Sequence, residues 1–176
     1  MKALIITFVA ALVYSVLWLG GFSAAINPTE SIDPGVYIMR DRVDVSTLKN
    51  GDIVSACIPD GPMAQVFKAR SYVPESPRCS SGLSPVIKNL AALPGDFVSV
   101  GANGVSINGV YQANSKLYSS DSKGNAMEHL PVGWSRVLAP GEFFLLATRI
   151  DRSLDSRYYG LIKTMDLQGK AVFKLF

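Results

Sequence analysis

The chain has 176 residues, enough for one domain, and its 17 lysines and arginines against 14 aspartates and glutamates leave a net charge of +3. That charge is too mild and too scattered to argue for a nucleic-acid partner. Hydrophobic residues make up 48% and charged residues only 18%, against roughly 25% charged in soluble domains, which excludes disorder. Two cysteines and one histidine cannot build a Cys/His zinc site without borrowed carboxylates, so no metal and no cofactor is expected.

After Met1 and Lys2 an uncharged run extends from Ala3 to Ile26. About 20 apolar residues in a helix cross the roughly 30 Å hydrocarbon layer, so residues 1–26 are expected to be an N-terminal transmembrane helix anchoring a domain of residues 27–176. Lys2 and the α-amino group precede the run, and Glu30 and Asp33 follow it. The positive-inside rule then puts the N-terminus in the cytoplasm and residues 27–176 on the far side. The alternative is a cleaved secretory signal, for which Ser23-Ala24-Ala25 supplies small residues. The run is, however, longer than the roughly 7–15 apolar residues such a signal carries. Either way the domain is exported. In an oxidising space one disulfide is the natural use of Cys57 and Cys79, the alternative being two buried thiols.

The exported part reads as short strands divided by turns. Val36–Met39 follows Pro34-Gly35, and Asp52–Cys57 follows Asn50-Gly51. Met63–Arg70 reads as a short helix, ended by the region of Pro74 and Pro77. Phe97–Val100 and Val105–Ile107 flank Gly101–Gly104 as a hairpin with a four-residue loop. Residues 112–136 are polar and turn-rich, a long surface excursion. Phe143–Ala147 is the strongest strand, and Ala171–Phe176 alternates near the end. The fold class expected is mainly β, with one short helical insertion.

Chemistry has few places to sit. His129 lies in the polar excursion, where a lone histidine is more often solvated than catalytic, and a Ser-His-Asp triad is unattractive. A Ser-Lys pair needs no histidine but requires a lysine neutral at working pH, which an apolar setting supplies. Lys88 has that setting: Pro85-Val86-Ile87 precede it, Leu90-Ala91-Ala92-Leu93-Pro94 follow it, and no other charge stands between Cys79 and Asp96. Most lysines in apolar runs merely extend to solvent, so composition alone leaves Lys88 ambiguous. Ser31 stands just past the uncharged run, in a loop stiffened by Pro28 and Pro34. On its own that loop reads as an ordinary polar turn.

Together these pieces resemble the type I signal peptidases, membrane-anchored serine-lysine endopeptidases. Ser31-Ile32-Asp33-Pro34 matches the Ser-x-x-Pro around the family's nucleophile, and Gly51-Asp52-Ile53-Val54 matches its Gly-Asp-Ile-Val strand. Lys88 followed by Leu93-Pro94-Gly95-Asp96 matches the lysine box. Pro140–Leu146 and Ser153-Leu154-Asp155-Ser156-Arg157-Tyr158-Tyr159-Gly160 match the closing box. Each motif alone is weak; all of them in order over nearly the whole chain are strong. The family's Gly-Asp-Asn-Arg before the closing serine is replaced here by Ala147–Arg152. That change, the small size and the cysteine pair bracketing a short helix ahead of the lysine resemble the conjugative-transfer, TraF-type branch.

The resemblance implies a signal-peptidase-like β domain with Ser31 as nucleophile and Lys88 as general base. It implies an oxyanion site from the Ser31 amide and a hydroxyl on Thr29, where many relatives have serine, with Ser153 orienting the lysine. Asp155 and Arg157 would form a supporting ion pair. The implied partners are membrane lipid, a precursor protein and components of a conjugative transfer or type IV secretion apparatus. The implied substrate is a conjugative pilin precursor, cut and in some members joined into a ring. The implied location is the bacterial inner membrane, spanned once, with the catalytic domain on the periplasmic side. A general signal peptidase and a catalytically silent, membrane-tethered β domain are the alternatives.

Overall fold

The structure, a computed structural model, describes Ser15 and residues 19–176. The rest of the expected anchor, residues 1–14 and 16–18, lies outside the described residues. Among the described residues no helix is long and apolar enough to cross a membrane. The end of the uncharged run corrects the sequence expectation: Phe22–Asn27 is not helix but strand β1, so the folded domain begins before residue 27. Gly21 explains the change of direction. Its φ of 74° is a turn conformation that glycine adopts at little cost, and its carbonyl accepts from the Asp41 amide at 2.9 Å. From there β1 pairs antiparallel with β2 (Gly35–Arg40), Phe22 opposite Arg40 and Asn27 opposite Gly35.

In chain order there follow β3 (Ile53–Ala56), helix α1 (Pro62–Ala69), β4 (Val86–Ala92), β5 (Phe97–Gly101), β6 (Gly104–Ile107), β7 (Val110–Tyr111) and β8 (Ser135–Val137). Then come β9 (Glu142–Leu146), the short helix α2 (Ser156–Tyr159), β10 (Ile162–Lys163) and β11 (Leu167–Lys174). The larger sheet has the order β1-β2-β11-β3-β4-β9-β10 and the smaller β7-β6-β5-β8, so the mainly β expectation holds. In the β5–β6 hairpin Gly101 pairs with Gly104, which leaves Ala102-Asn103 as a two-residue loop, shorter than the sequence suggested.

Strand β9 joins the two sheets' interiors. Phe143 and Leu145 pack with Val54, Leu90 and Leu167, while Phe144 and Leu146 pack with Val98, Val105 and Leu138. Burial on both faces is why this strand reads as an unbroken apolar run rather than an alternating one. Helix α1 starts with Pro62 in its first turn, where the missing N–H is no loss. It buries Ala64 and Phe67 against Ile58, Val73, Leu83 and Tyr158. The Cys57–Cys79 disulfide closes this insertion, with the two Cα atoms 5.5 Å apart. The excursion between β7 and β8 carries only a bridge between Ser120 and Ala126. It is pinned rather than free: Ser115 Oγ accepts from the Val105 amide at 2.8 Å, and Met127 enters the α1 core.

One further cluster positions the site. Tyr37 and Met39 of β2, Ala171 of β11, Ile53 of β3 and Ile87 of β4 form an apolar row across four neighbouring strands. Ile32, 1% exposed, reaches onto that row from the β1–β2 loop. Burying this side chain folds the loop back over the sheet and carries Ser31 with it. Gly35 ends the loop at φ 151° with backbone of Phe176 so close that a Cβ would collide.

Candidate active site

Ser31 and Lys88 are 57 residues apart in sequence, and the fold brings them together: Lys88 Nζ donates to Ser31 Oγ at 2.8 Å. Both are buried, Ser31 at 3% and Lys88 at 7% exposure. Lys88 lies within β4, its backbone opposite Val54 of β3, so its position is fixed by the sheet. Burial pulls the Lys88 ammonium down to about 8; the charge of Asp155 opposes this and that of Arg157 adds to it. An amine that loses its proton near neutral pH can accept one from a hydroxyl.

The loop carrying Ser31 is organised by Asn27, which the sequence reading did not single out. Its side chain is 6% exposed. Asn27 Nδ2 donates to the carbonyls of Thr29 at 2.8 Å and of Ile32 and Asp33 at 3.3 Å. Asn27 Oδ1 accepts from the Thr29 amide at 3.3 Å and its hydroxyl at 2.8 Å. Tyr37 adds a hydroxyl bond to the Asp33 carbonyl at 2.5 Å. The signal was present in the sequence: asparagine two residues before a threonine favours a side-chain-to-backbone turn. Thr29 Oγ1 stands 2.9 Å from Ser31 Oγ, so a hydrogen-bond chain runs from Lys88 through Ser31 and Thr29 to Asn27. Arg149, in the segment that departs from the family pattern, pairs with Asp33 and ties the loop's far end to the closing box.

Asp155 and Arg157 form the ion pair expected of them, both fully buried. Arg157 Nε and Nη2 contact the two carboxylate oxygens at 2.7 and 2.8 Å, the forked geometry that a guanidinium favours. Arg157 also donates to the carbonyls of Lys116 at 2.6 Å, Asp151 at 2.9 Å and Ser153 at 3.2 Å. Burial opposes its charge, but the bond to Asp155 and that carboxylate's charge outweigh burial and raise the guanidinium further. Asp155 Oδ2 accepts in addition from the Ala147 amide at 3.1 Å, locking α2 to the end of β9. The pair thus stands as scaffold for the strand beside Lys88.

Ser153 is brought to this scaffold but not bonded to the lysine. Its hydroxyl is buried and, among the described residues, has no hydrogen-bond partner. His129 stays in the excursion, its Nδ1 2.7 Å from the Leu130 carbonyl. Among the described residues no group of three or more His, Cys, Asp or Glu converges as a metal site would need.

A buried serine hydroxyl held against a buried lysine amine is the arrangement that a Ser-Lys hydrolase uses. The signal peptidase family, peptidase S26, matches the chain over residues 1–176, and the chain belongs to this family of peptidases. It is 28% identical over 165 residues to the probable conjugal transfer protein TraF of Sinorhizobium fredii, covering 94% of this chain and 82% of that protein. It is 32% identical over 153 residues to the conjugal transfer protein TraF of Agrobacterium fabrum, covering 87% and 81%. A solved signal peptidase I from Enterococcus faecalis matches at 23% identity with a TM-score of 0.38, covering 70% of this chain and 96% of that one.

Proposed function

We propose that the chain is a membrane-anchored endopeptidase that matures an exported precursor, a conjugative pilin, through a Ser31–Lys88 dyad. The observation that carries this is the 2.8 Å contact between two buried groups, an amine and a hydroxyl, with burial lowering the amine to about 8. A catalytically silent domain has no use for an amine held out of solvent at a cost. The TraF names of the relatives support a role in conjugal transfer. Exposed Ile26, Phe173 and Phe176 near the Ser31 loop support a working position at a lipid surface, and the side proposed for it is the periplasmic face of the inner membrane.

Neutral Lys88 takes the Ser31 proton as Oγ attacks the scissile carbonyl, and the Ser31 amide with the Thr29 hydroxyl meets the oxyanion. For that role Thr29 releases its bond to Asn27 Oδ1, a rotation about one side-chain torsion. As the carbon–nitrogen bond breaks, Lys88 returns the proton to the leaving amine, and the acyl group stays as an ester on Ser31. Water resolves that ester to a free carboxylate, or an amine of the precursor resolves it to a ring.

The test is co-expression of the full-length chain with a candidate pilin precursor, followed by intact-mass analysis of the pilin. Wild type is expected to yield the shortened or cyclised product, and Ser31→Ala and Lys88→Ala to leave the precursor whole while folding normally. Normal maturation in Lys88→Ala would favour the silent-domain reading.

A further inference from the structure

Beside the start of β1 lies a cavity of about 630 Å³, within the roughly 300–1,000 Å³ that small-molecule sites occupy. Leu19, Gly20 and Gly21, the residues that lead into β1, form one side of it. Arg40 at the end of β2, Arg42 and Asp44 after it, and Lys170 and Val172 of β11 form much of the rest. Three cations and one carboxylate therefore line a single space.

Arg40 and Lys170 stand directly opposite each other in the β2–β11 register, so their side chains leave the same face of the sheet about 5 Å apart. Like charges so placed repel. Lys170 is relieved of this, since its Nζ pairs with Asp52 at 2.6 Å and donates to the Thr47 carbonyl at 3.3 Å. The arginines are not. Among the described residues neither Arg40 nor Arg42 has an ion pair, and Arg40 rests 5.6 Å over the Phe22 ring. Asp44, the cavity's own carboxylate, turns to Ser46, accepting from its amide at 3.0 Å and its hydroxyl at 2.7 Å. Asp41, between the two arginines in sequence, accepts from Ser23 Oγ. Two guanidinium groups beside an open space and without a counter-anion suit a phosphate, whose oxygens accept paired N–H donors from arginine.

The setting selects the source of that phosphate. A free phosphate has no use for apolar walls, yet Leu19, 77% exposed, and Val172, 51% exposed, flank the arginines. The part of the uncharged run that precedes β1, read above as the membrane anchor, arrives at this wall, which puts the cavity at headgroup level. A zwitterionic headgroup would bring an ammonium into a space that already holds three cations; an anionic one would not.

We propose that this cavity binds the headgroup phosphate of an anionic phospholipid through Arg40 and Arg42, with Leu19 and Val172 against the lipid's apolar part. This rests on the membrane-anchored reading and adds to it the class of lipid held. Strand β1 spans about 17 Å between the cavity and the Ser31 loop, and Ile26 near its far end is exposed. A headgroup fixed here would thus lay the strand along the bilayer.

The experiment is native mass spectrometry of the full-length chain in maltoside micelles, titrated separately with phosphatidylglycerol, phosphatidylcholine and inorganic phosphate. Wild type is expected to hold phosphatidylglycerol about 10-fold or more tighter than phosphatidylcholine. At about 5-fold for each basic residue, the double variant Arg40→Gln, Arg42→Gln should lose about 30-fold for phosphatidylglycerol and little for phosphatidylcholine. Val172→Glu, which supplies the cavity with a carboxylate of its own, should abolish the preference too, and decides the matter if the double variant folds poorly. Arg78→Gln with Lys123→Gln removes the same charge outside the cavity and is expected to bind as wild type. Equal binding of the two lipids by wild type would overturn the proposal, as would an equal loss in the control variant. Inorganic phosphate bound as tightly as phosphatidylglycerol would overturn the lipid assignment. Cleavage is not part of the readout, so an unselective chain that still matures pilin refutes this site alone, and a selective chain that matures none refutes the peptidase reading alone. Recovery of the full-length chain in the soluble fraction would refute the anchor, and the headgroup assignment with it.

Discussion

Replacing Lys88 with methionine should make the protein more stable and inactive at once. The side chain keeps its length and loses its charge in a site that is 7% exposed. The ammonium falls from the usual 10.5 to about 8, and at about 1.4 kcal/mol per tenfold change this amounts to about 3 kcal/mol that the charged form costs the fold. Below about 8 both folded and unfolded chains hold the proton, and the cost is constant. Between about 8 and 10.5 the unfolded chain binds a proton that the folded chain does not, so wild-type stability climbs with pH and the cost disappears. Methionine also gives up the 2.8 Å bond to Ser31, a loss of about 1 kcal/mol. Lys88→Met is thus expected to be about 2 kcal/mol more stable than wild type at pH 7, with the two curves converging and crossing toward pH 10. Denaturant unfolding of both full-length chains from pH 6 to 10, with the disulfide intact, measures this directly. Parallel stability curves, or a variant weaker than wild type by the same amount at every pH, would refute the claim that the surroundings of Lys88 disfavour its charged form.

Wild-type kcat/KM should rise with pH through an inflection near 8, since only the neutral amine accepts the serine proton. Asp155→Asn should move that inflection lower, because the Asp155 charge raises Lys88; it should also cost about 3–5 kcal/mol of stability by stranding the buried Arg157. Steady-state profiles and denaturation of the variant check the two parts. Thr29→Ala should lower kcat about 10²- to 10³-fold, and Thr29→Ser should restore most of it, whereas unchanged kcat in Thr29→Ala would remove this hydroxyl from the oxyanion site. Replacing Cys57 and Cys79 together by serine opens a link spanning 22 residues and should cost about 3 kcal/mol, read as a shift in the denaturation midpoint.

The pairing of Ser31 with Lys88 was readable from the ordered motifs rather than from composition. The apolar neighbours Val86, Ile87, Leu90 and Ala91 made Lys88 a candidate and the Pro28–Pro34 loop made Ser31 one, but neither stood out alone. Four strands were legible from their turn signals: Val36–Met39, Asp52–Cys57, Phe97–Val100 and Phe143–Ala147 each have a glycine within two residues of an end, whereas β1, β4, β8 and β10 were not read as strands. What was not legible depends on who meets whom. Asn27 carried a local turn signal toward Thr29, but its bonds to the Ile32 and Asp33 carbonyls belong to a loop whose Ile32 packs on a row built by strands far apart in sequence. Phe22 to Ile26 carries no charge and suits a lipid helix or an inner strand equally, so composition alone could not mark the end of one and the start of the other. Only the Gly20-Gly21 pair hinted at the break. Ser153 was picked out by motif, but that its hydroxyl is buried without a hydrogen-bond partner among the described residues depends on packing that the motif does not encode.

The double-sided burial of β9 sets a limit on protein engineering here. Removing the small sheet to obtain a minimal catalyst would strip the cover from Phe144 and Leu146 and leave a bare, sticky ribbon beside β4. The strand that bears the lysine would then border an aggregation hazard. Grafting new specificity is better directed to the loops, where side chains can change without unroofing the interior.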